Sequence, residues 1–250
     1  MSMTAEAPLA LHYDDAPFAH LVLPQLLATT EWPRLRFPDV PVVPGVRTGR
    51  MIAIGDALWD DVMSGPGWAE LRRVFTSQAF VSRVLAQFAD EMKRLGCLVD
   101  PDAAYLDGFV EGQPESKQRT LSETDDPNAL FVRFDFQAGT QSYGKRIHCD
   151  LPRRVVGGVL FMTNAEDEGM EGGEFGMWRD AAFANDRVCH KPVLEKTFAF
   201  EANKGVLFLN ANNGFHGPLP IQAISGERKW IYYSISSRRD VWPQAAALLA

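Results

Sequence analysis

The chain has 250 residues, of which 46% are apolar and 23% charged, so it is long and apolar enough to bury one substantial core. Its formal net charge of −7 argues against the broad basic surface that nucleic-acid binding needs, and no nucleic-acid partner is expected. No apolar run approaches the roughly 18 residues of a membrane span, and residues 1–10 lack the basic and apolar regions of a secretory signal, so no membrane association and a cytoplasmic location are expected.

In chain order, residues Met1 to Leu11 read as disordered, and Phe18 to Leu23 as a short strand. Pro33, Pro38, Pro41 and Pro44 then mark an irregular stretch. From Ser77, a suitable N-cap, Val81, Val84, Leu85, Phe88, Met92 and Leu95 recur at helical spacing up to Gly96. The spacing predicts a helix with one apolar face, destined for the outside of a sheet. Residues 111–128 are polar, with Gly112, Pro114 and Pro127, and read as a surface loop that either closes over a site or stays mobile. From Leu130 onward short β-rich runs are punctuated by Gly, Asn, Asp and Pro, the pattern of an antiparallel sandwich or jelly roll. The expected organisation is a single domain over 1–250: helical and loop support over 1–129, a β core over 130–238 and a tail over 239–250. The support region is not a separate domain, because its apolar helix face needs a partner. Cys97, Cys149 and Cys189, odd in number and widely spread, read as reduced thiols.

The chemistry concentrates in His148-Cys149-Asp150, followed at a distance by His216-Gly217 and by Gly226-Glu227-Arg228. On an extended strand, residues 148 and 150 share a face and lie roughly 7 Å apart, while Cys149 points away. Two imidazoles and one carboxylate suit non-haem Fe(II), since they fill three positions and leave three open. A His-x-Asp tripeptide alone is a weak signal. The strands around it strengthen the reading: Phe131 to Phe136 before, Val155 to Met162 after, then Glu171 to Phe175 and Lys204 to Asn210. His12, His20 and His190 carry no partner motif and read as surface or core histidines.

This order resembles the 2-oxoglutarate and Fe(II)-dependent oxygenase superfamily, in particular its prolyl-4-hydroxylase-like branch, over residues 130 to 238. The matching segments are His148 to Asp150, Leu160 to Asn164, Gly172 to Phe175, Gly205 to Leu209, His216-Gly217 and Gly226 to Arg228. The resemblance implies a mainly β fold with flanking helices, a double-stranded β-helix or jelly roll. It implies Fe(II) held by His148, Asp150 and His216, with 2-oxoglutarate and O₂ as co-substrates and ascorbate as a reductant. Arg228 would anchor the far carboxylate of 2-oxoglutarate, for which a guanidinium offers two parallel hydrogen bonds. Tyr143 and Trp230 are the aromatic candidates for the cofactor pocket, with a core role as their alternative, as for Trp178.

Two features depart from the family pattern. Arg228 lies twelve positions after His216, so the turn through Gln222 to Ser225 is slightly extended, and Trp230 stands where many relatives carry Ser or Thr. Lys229 is a poorer anchor because it faces the other side of the strand. Asp150 separates the chain from halogenases, which lack this carboxylate, and so favours hydroxylation. The expected substrate is a small molecule such as an amino acid, sugar or secondary metabolite, with a peptidyl proline as the alternative. Lys145, Arg146, Arg153 and Arg154 flank the metal strand and either face an anionic substrate group or are solvated strand ends. A cupin-type metal isomerase and a silent ligand-binding barrel are the readings from other classes. The sequence leaves the oligomeric state open.

Overall fold

The computed structural model describes residues 9–28, 32, 35–40, 50–100, 102–111, 126–141 and 143–243. Of the disorder expected over Met1 to Leu11, residues 1–8 lie outside the described residues, as do most of the 111–128 loop and the end of the 239–250 tail, whereas Leu9 and Leu11 are ordered against the core.

Before the β core come strands β1 (His12–Asp14), β2 (His20–Leu23) and β3 (Arg50–Ile52), then helices α1 (Ala57–Met63), α2 (Trp68–Phe75) and α3 (Gln78–Arg94). Helix α3 is the one that the sequence predicts. The Ser77 hydroxyl accepts from the Phe80 N–H at 3.1 Å, and Gly96 adopts φ 69°, beyond the helix end. Its apolar stripe, Phe80, Val81, Val84, Leu85, Phe88 and Met92, is buried. The sequence reading did not include α1 and α2, which are short and whose N-caps make no side-chain hydrogen bond. Nor did it include β1 and β3, each only three residues long.

The remaining strands are β4 (Leu130–Gly139), β5 (Arg154–Phe161), β6 (Glu171–Gly172), β7 (Phe175–Asp180), β8 (Pro192–Phe198), β9 (Lys204–Leu209), β10 (Phe215–Pro218), β11 (Ile221–Ala223) and β12 (Arg228–Ser237). A seven-stranded antiparallel sheet runs β1-β2-β9-β5-β12-β4-β3, and a three-stranded one runs β10-β7-β8. The chain crosses repeatedly between them: β4 and β5 in the large sheet, β7 and β8 in the small one, then β9, β10 and β12 in alternation. This is the winding of a jelly roll. The three N-terminal strands extend the edges of the large sheet, so the support region supplies more than helices and loops.

Strand periodicity divides the large sheet into two faces. On β12, Ile231, Tyr233 and Ile235 join the helices in one apolar cluster, together with Phe134 and Phe136 of β4. Trp230 turns to the opposite face and packs with Val159, Phe161, Val206 and Phe208 against Phe175 and Met177 of the small sheet. The cavity described below opens within this second layer. At the C-terminal end, Val241 and Trp242 are buried, and the Trp242 indole N–H donates to the Arg154 carbonyl at 2.7 Å.

Candidate metal centre

His148 and His216 meet across the small sheet. They form an isolated antiparallel bridge, with His148 N–H to His216 O at 3.0 Å and the reciprocal bond at 2.9 Å. The expected extended strand over 148–150 is therefore reduced to one rung, after which the chain leaves the sheet. Asp150 is instead positioned from outside. Its N–H donates to Asn210 Oδ1 at 2.9 Å, and its carbonyl accepts from the Arg187 guanidinium. The carboxylate still reaches both rings: His148 Nε2 lies 3.4 Å from Oδ1 and His216 Nε2 3.8 Å from Oδ2. Ligand atoms of all three residues lie within 4.8 Å of one another.

The imidazoles are oriented by backbone carbonyls. His148 Nδ1 lies 2.8 Å from the Arg146 carbonyl and His216 Nδ1 3.0 Å from the Gly214 carbonyl. A carbonyl can only accept, so each Nδ1 carries the proton and each Nε2 presents a lone pair toward Asp150. Burial pulls the His216 imidazole down to about 3, helped by His148, so it stays neutral. Burial would raise the Asp150 carboxyl, but the adjoining His148 and His216 imidazoles and the Lys145 ammonium hold it well below the usual carboxylate range. One carboxylate and two neutral imidazoles are the protonation states in which these groups bind a cation. His148 Nε2 is buried with no hydrogen-bond partner, as a nitrogen reserved for a metal would be. The residues present therefore fit a divalent metal.

Two further residues shape the centre. The hydroxyl of the partly buried Tyr232 donates to Asp150 Oδ2 at 2.9 Å, and desolvation raises this phenol's pKa, so it remains a donor. Beneath Asp150 lies Gly157, where a Cβ would come within 2.7 Å of the Phe208 ring and 3.3 Å of Asp150 Oδ2. A side chain here would have to push the Phe208 ring aside and would crowd the carboxylate. Phe208 in turn packs on the His216 ring, with centroids 4.3 Å apart. Tyr232 is absent from the sequence reading. Its one available signal was position, two residues beyond Trp230 and hence on the same strand face as Arg228.

From the triad a cavity of about 270 Å³ extends along the inner face of the large sheet. At one end sits Arg228, 2% exposed, its guanidinium carbon 4.0 Å from the centroid of the Phe200 ring, 4.7 Å from that of Trp230 and 5.2 Å from that of Tyr143. No ion pair joins it to a carboxylate among the described residues, and its Nε is buried without a partner. Burial pulls its pKa down from 12.5 to about 10. Tyr143 and Trp230 both line the cavity, their rings 4.9 Å apart. Lys229 lies off the cavity, 3.9 Å from Glu227. Trp178, the other aromatic weighed for the pocket, is buried and is not part of the lining. The extended turn before Arg228 is held by Glu168, whose backbone carbonyl accepts from Ser225 and Gly226 and whose carboxylate accepts from the Glu227 N–H at 2.8 Å.

The basic residues flanking the metal strand fall in different places. Arg153 and Arg154 both bind Glu111, Arg153 at 2.8 Å, so neither is a solvated strand end. Arg154 lines the cavity, as does Lys145, whose Nζ lies 3.7 Å from Asp150 Oδ1; Arg146 and Arg153 do not. Cys97, Cys149 and Cys189 are free thiols, and burial pushes Cys149 up to about 12. Among the described residues no helix is long and apolar enough to cross a membrane.

No family model and no curated protein matches the chain. Among solved structures it is similar to a Pseudomonas putida prolyl-4-hydroxylase, at 16% identity over 80% of this chain and 77% of that one, with a TM-score of 0.41. It is also similar to a prolyl hydroxylase from Trichoplax adhaerens in complex with a hypoxia inducible factor oxygen degradation domain peptide fragment, at 10% identity over 88% and 84% of the two chains, TM-score 0.41. A 2OG-Fe(II) oxygenase family oxidoreductase from Burkholderia pseudomallei is similar at 17% identity over 45% and 46%, TM-score 0.33. Of these three structures, two carry the name of prolyl hydroxylases and one that of the 2OG-Fe(II) oxygenase family.

Proposed function

We propose that this protein is an Fe(II)- and 2-oxoglutarate-dependent dioxygenase that hydroxylates a C–H bond of a small molecule, with release of succinate and CO₂. The observation that carries the reading is the pairing of two groups in one cavity. One is a set of three metal-ligand side chains, and the other is a buried guanidinium without a carboxylate partner. A desolvated cation left without an anion is costly, so its retention marks a place where an anion binds.

His148, Asp150 and His216 would hold Fe(II), which supplies O₂ activation when bound. Arg228 would receive the distal carboxylate of 2-oxoglutarate, with Tyr143 and Trp230 walling that end and excluding water. Tyr232 would keep Asp150 in its orientation through the bond to Oδ2. Ascorbate would serve as a reductant. The small size of the cavity favours a small-molecule substrate over a peptidyl proline.

The test is succinate formation from 2-oxoglutarate with Fe(II) and O₂. Wild-type protein should form succinate, and Asp150→Ala should abolish it. Undiminished turnover in that variant refutes the ligand assignment.

A further inference from the structure

Arg228 occupies one end of the cavity, yet it is one of four cations in the lining. Lys145, Arg133 and Arg154 are the others, and Asp150, a metal ligand, is the one carboxylate there. So cationic a lining, in a chain whose net charge is −7, calls for an explanation beyond one co-substrate.

The strand register shows that the cations form two separate sets. Arg228 stands at the start of β12 opposite Gly139, whereas Arg133 of β4 stands opposite Ser234, six residues further along the same face. That is roughly 20 Å of strand. Tyr232 lies between them, with its hydroxyl on Asp150 and its ring under the Arg133 guanidinium, 5.5 Å from centroid to carbon. The metal triad therefore sits between Arg228 on one side and Arg133 with Arg154 on the other. One end accommodates the co-substrate; the far end is one tyrosine ring away from Asp150.

Built contacts hold the far pair in place. Arg154 is 2% exposed and donates to Ser236 Oγ at 2.9 Å and to Glu111. Arg133 donates to Asp135, and its other terminal nitrogen reaches Glu111 at 3.4 Å, at the outer limit of a hydrogen bond. With Arg153 the network counts, among the described residues, three guanidinium groups against two carboxylates, Glu111 and Asp135. The long Arg133–Glu111 contact is the weakest link, and it lies where both arginines line the cavity.

Resting on the oxygenase reading, we infer that Arg133 and Arg154 form a substrate subsite for a carboxylate, and that the substrate is a small carboxylic acid oxidised a few bonds from its acid group. The incoming carboxylate replaces the long contact to Glu111 at Arg133 and takes an N–H of Arg154, while Gln137, Met51 and Leu151 line the cavity around the rest of the molecule. Planar guanidinium groups suit this, because each can give parallel N–H bonds to a carboxylate.

The test uses the full chain loaded with Zn(II) and saturating 2-oxoglutarate, which fills the Arg228 end. Binding of a panel of small hydroxy, amino and dicarboxylic acids is compared with that of their primary amides by ligand-observed NMR. At least one acid should bind roughly ten-fold or more tightly than its amide, and Arg133→Gln should erase that preference. Acids that bind the wild-type protein no better than their amides overturn the inference, whether or not the variant folds. A preference that survives in Arg133→Gln overturns it as well. If 2-oxoglutarate itself fails to bind the Zn(II)-loaded protein, the oxygenase reading fails, and the inference with it.

Discussion

Replacing Arg228 by methionine separates two roles that a buried cation can play. Burial lowers the guanidinium from 12.5 to about 10, which corresponds to about 3 kcal/mol of hydration that its surroundings do not return. The three aromatic rings around it recover part of this, on the order of 0.5–2 kcal/mol each. Methionine of similar length needs no hydration and packs well against rings. Arg228→Met should therefore leave the ligand-free protein within about 1 kcal/mol of wild type. The loss should appear on adding 2-oxoglutarate. Two charge-assisted hydrogen bonds are worth about 1.5–3 kcal/mol each, so the variant should bind the co-substrate weaker by a factor of about 100 or more. Thermal unfolding of the Zn(II)-loaded protein across a 2-oxoglutarate titration reads both quantities. Equal stabilisation of variant and wild type by 2-oxoglutarate refutes Arg228 as the anchor. A ligand-free variant destabilised by more than about 3 kcal/mol shows instead that the arginine is a structural cation.

Tyr232→Phe removes the hydroxyl that fixes Asp150 and should weaken metal binding by roughly ten- to a hundred-fold, measured by Co(II) titration; unchanged affinity removes Tyr232 from the centre. Gly172→Ala should cost at least about 2 kcal/mol in urea unfolding, because the residue has φ 75° and its Cβ would lie 2.2 Å from the Pro220 carbonyl oxygen. His20 and His216 are both held below their ordinary value of 6.5 by burial. Each folded-state pKa is lowered, so the unfolded chain binds more protons and metal-free stability falls as pH drops below about 6.5, by up to about 1.4 kcal/mol per unit for each histidine. His20→Gln should flatten that slope between pH 6.5 and 5, and an unchanged slope assigns the acid sensitivity elsewhere.

The residues whose role depends on a pattern were legible in the sequence. The spacing of Val81 to Leu95 reports a helix face, and the ordered motifs from His148 to Arg228 mark strands that the topology brings together. Residues whose role depends on register were not. Tyr232 reaches Asp150 because β12 pairs with β5 and β4 in one alignment, and nothing local in Trp230-Ile231-Tyr232-Tyr233 says which tyrosine faces inward. Tyr233 turns the other way and donates to the Phe75 carbonyl at 2.9 Å. The Arg133–Glu111 contact was equally hidden, because it joins a strand residue to one outside any strand, 22 positions apart. The placement of Asp150 also differed in its cause. Alternation along a strand suggested a shared face with His148, whereas Asn210 and Arg187 set its position after the strand has ended.

Strand β12 serves two masters through parity alone: its even-numbered residues furnish the chamber and its odd-numbered ones moor the helices. Inserting or deleting a single residue inside the strand, between Arg228 and Tyr232, would swap the two sets, turning Tyr233 into the chamber and Tyr232 toward the helices. Viable length changes near this strand are therefore confined to the segment upstream of Arg228, where the Glu168 clasp absorbs a longer turn without shifting the alignment that follows.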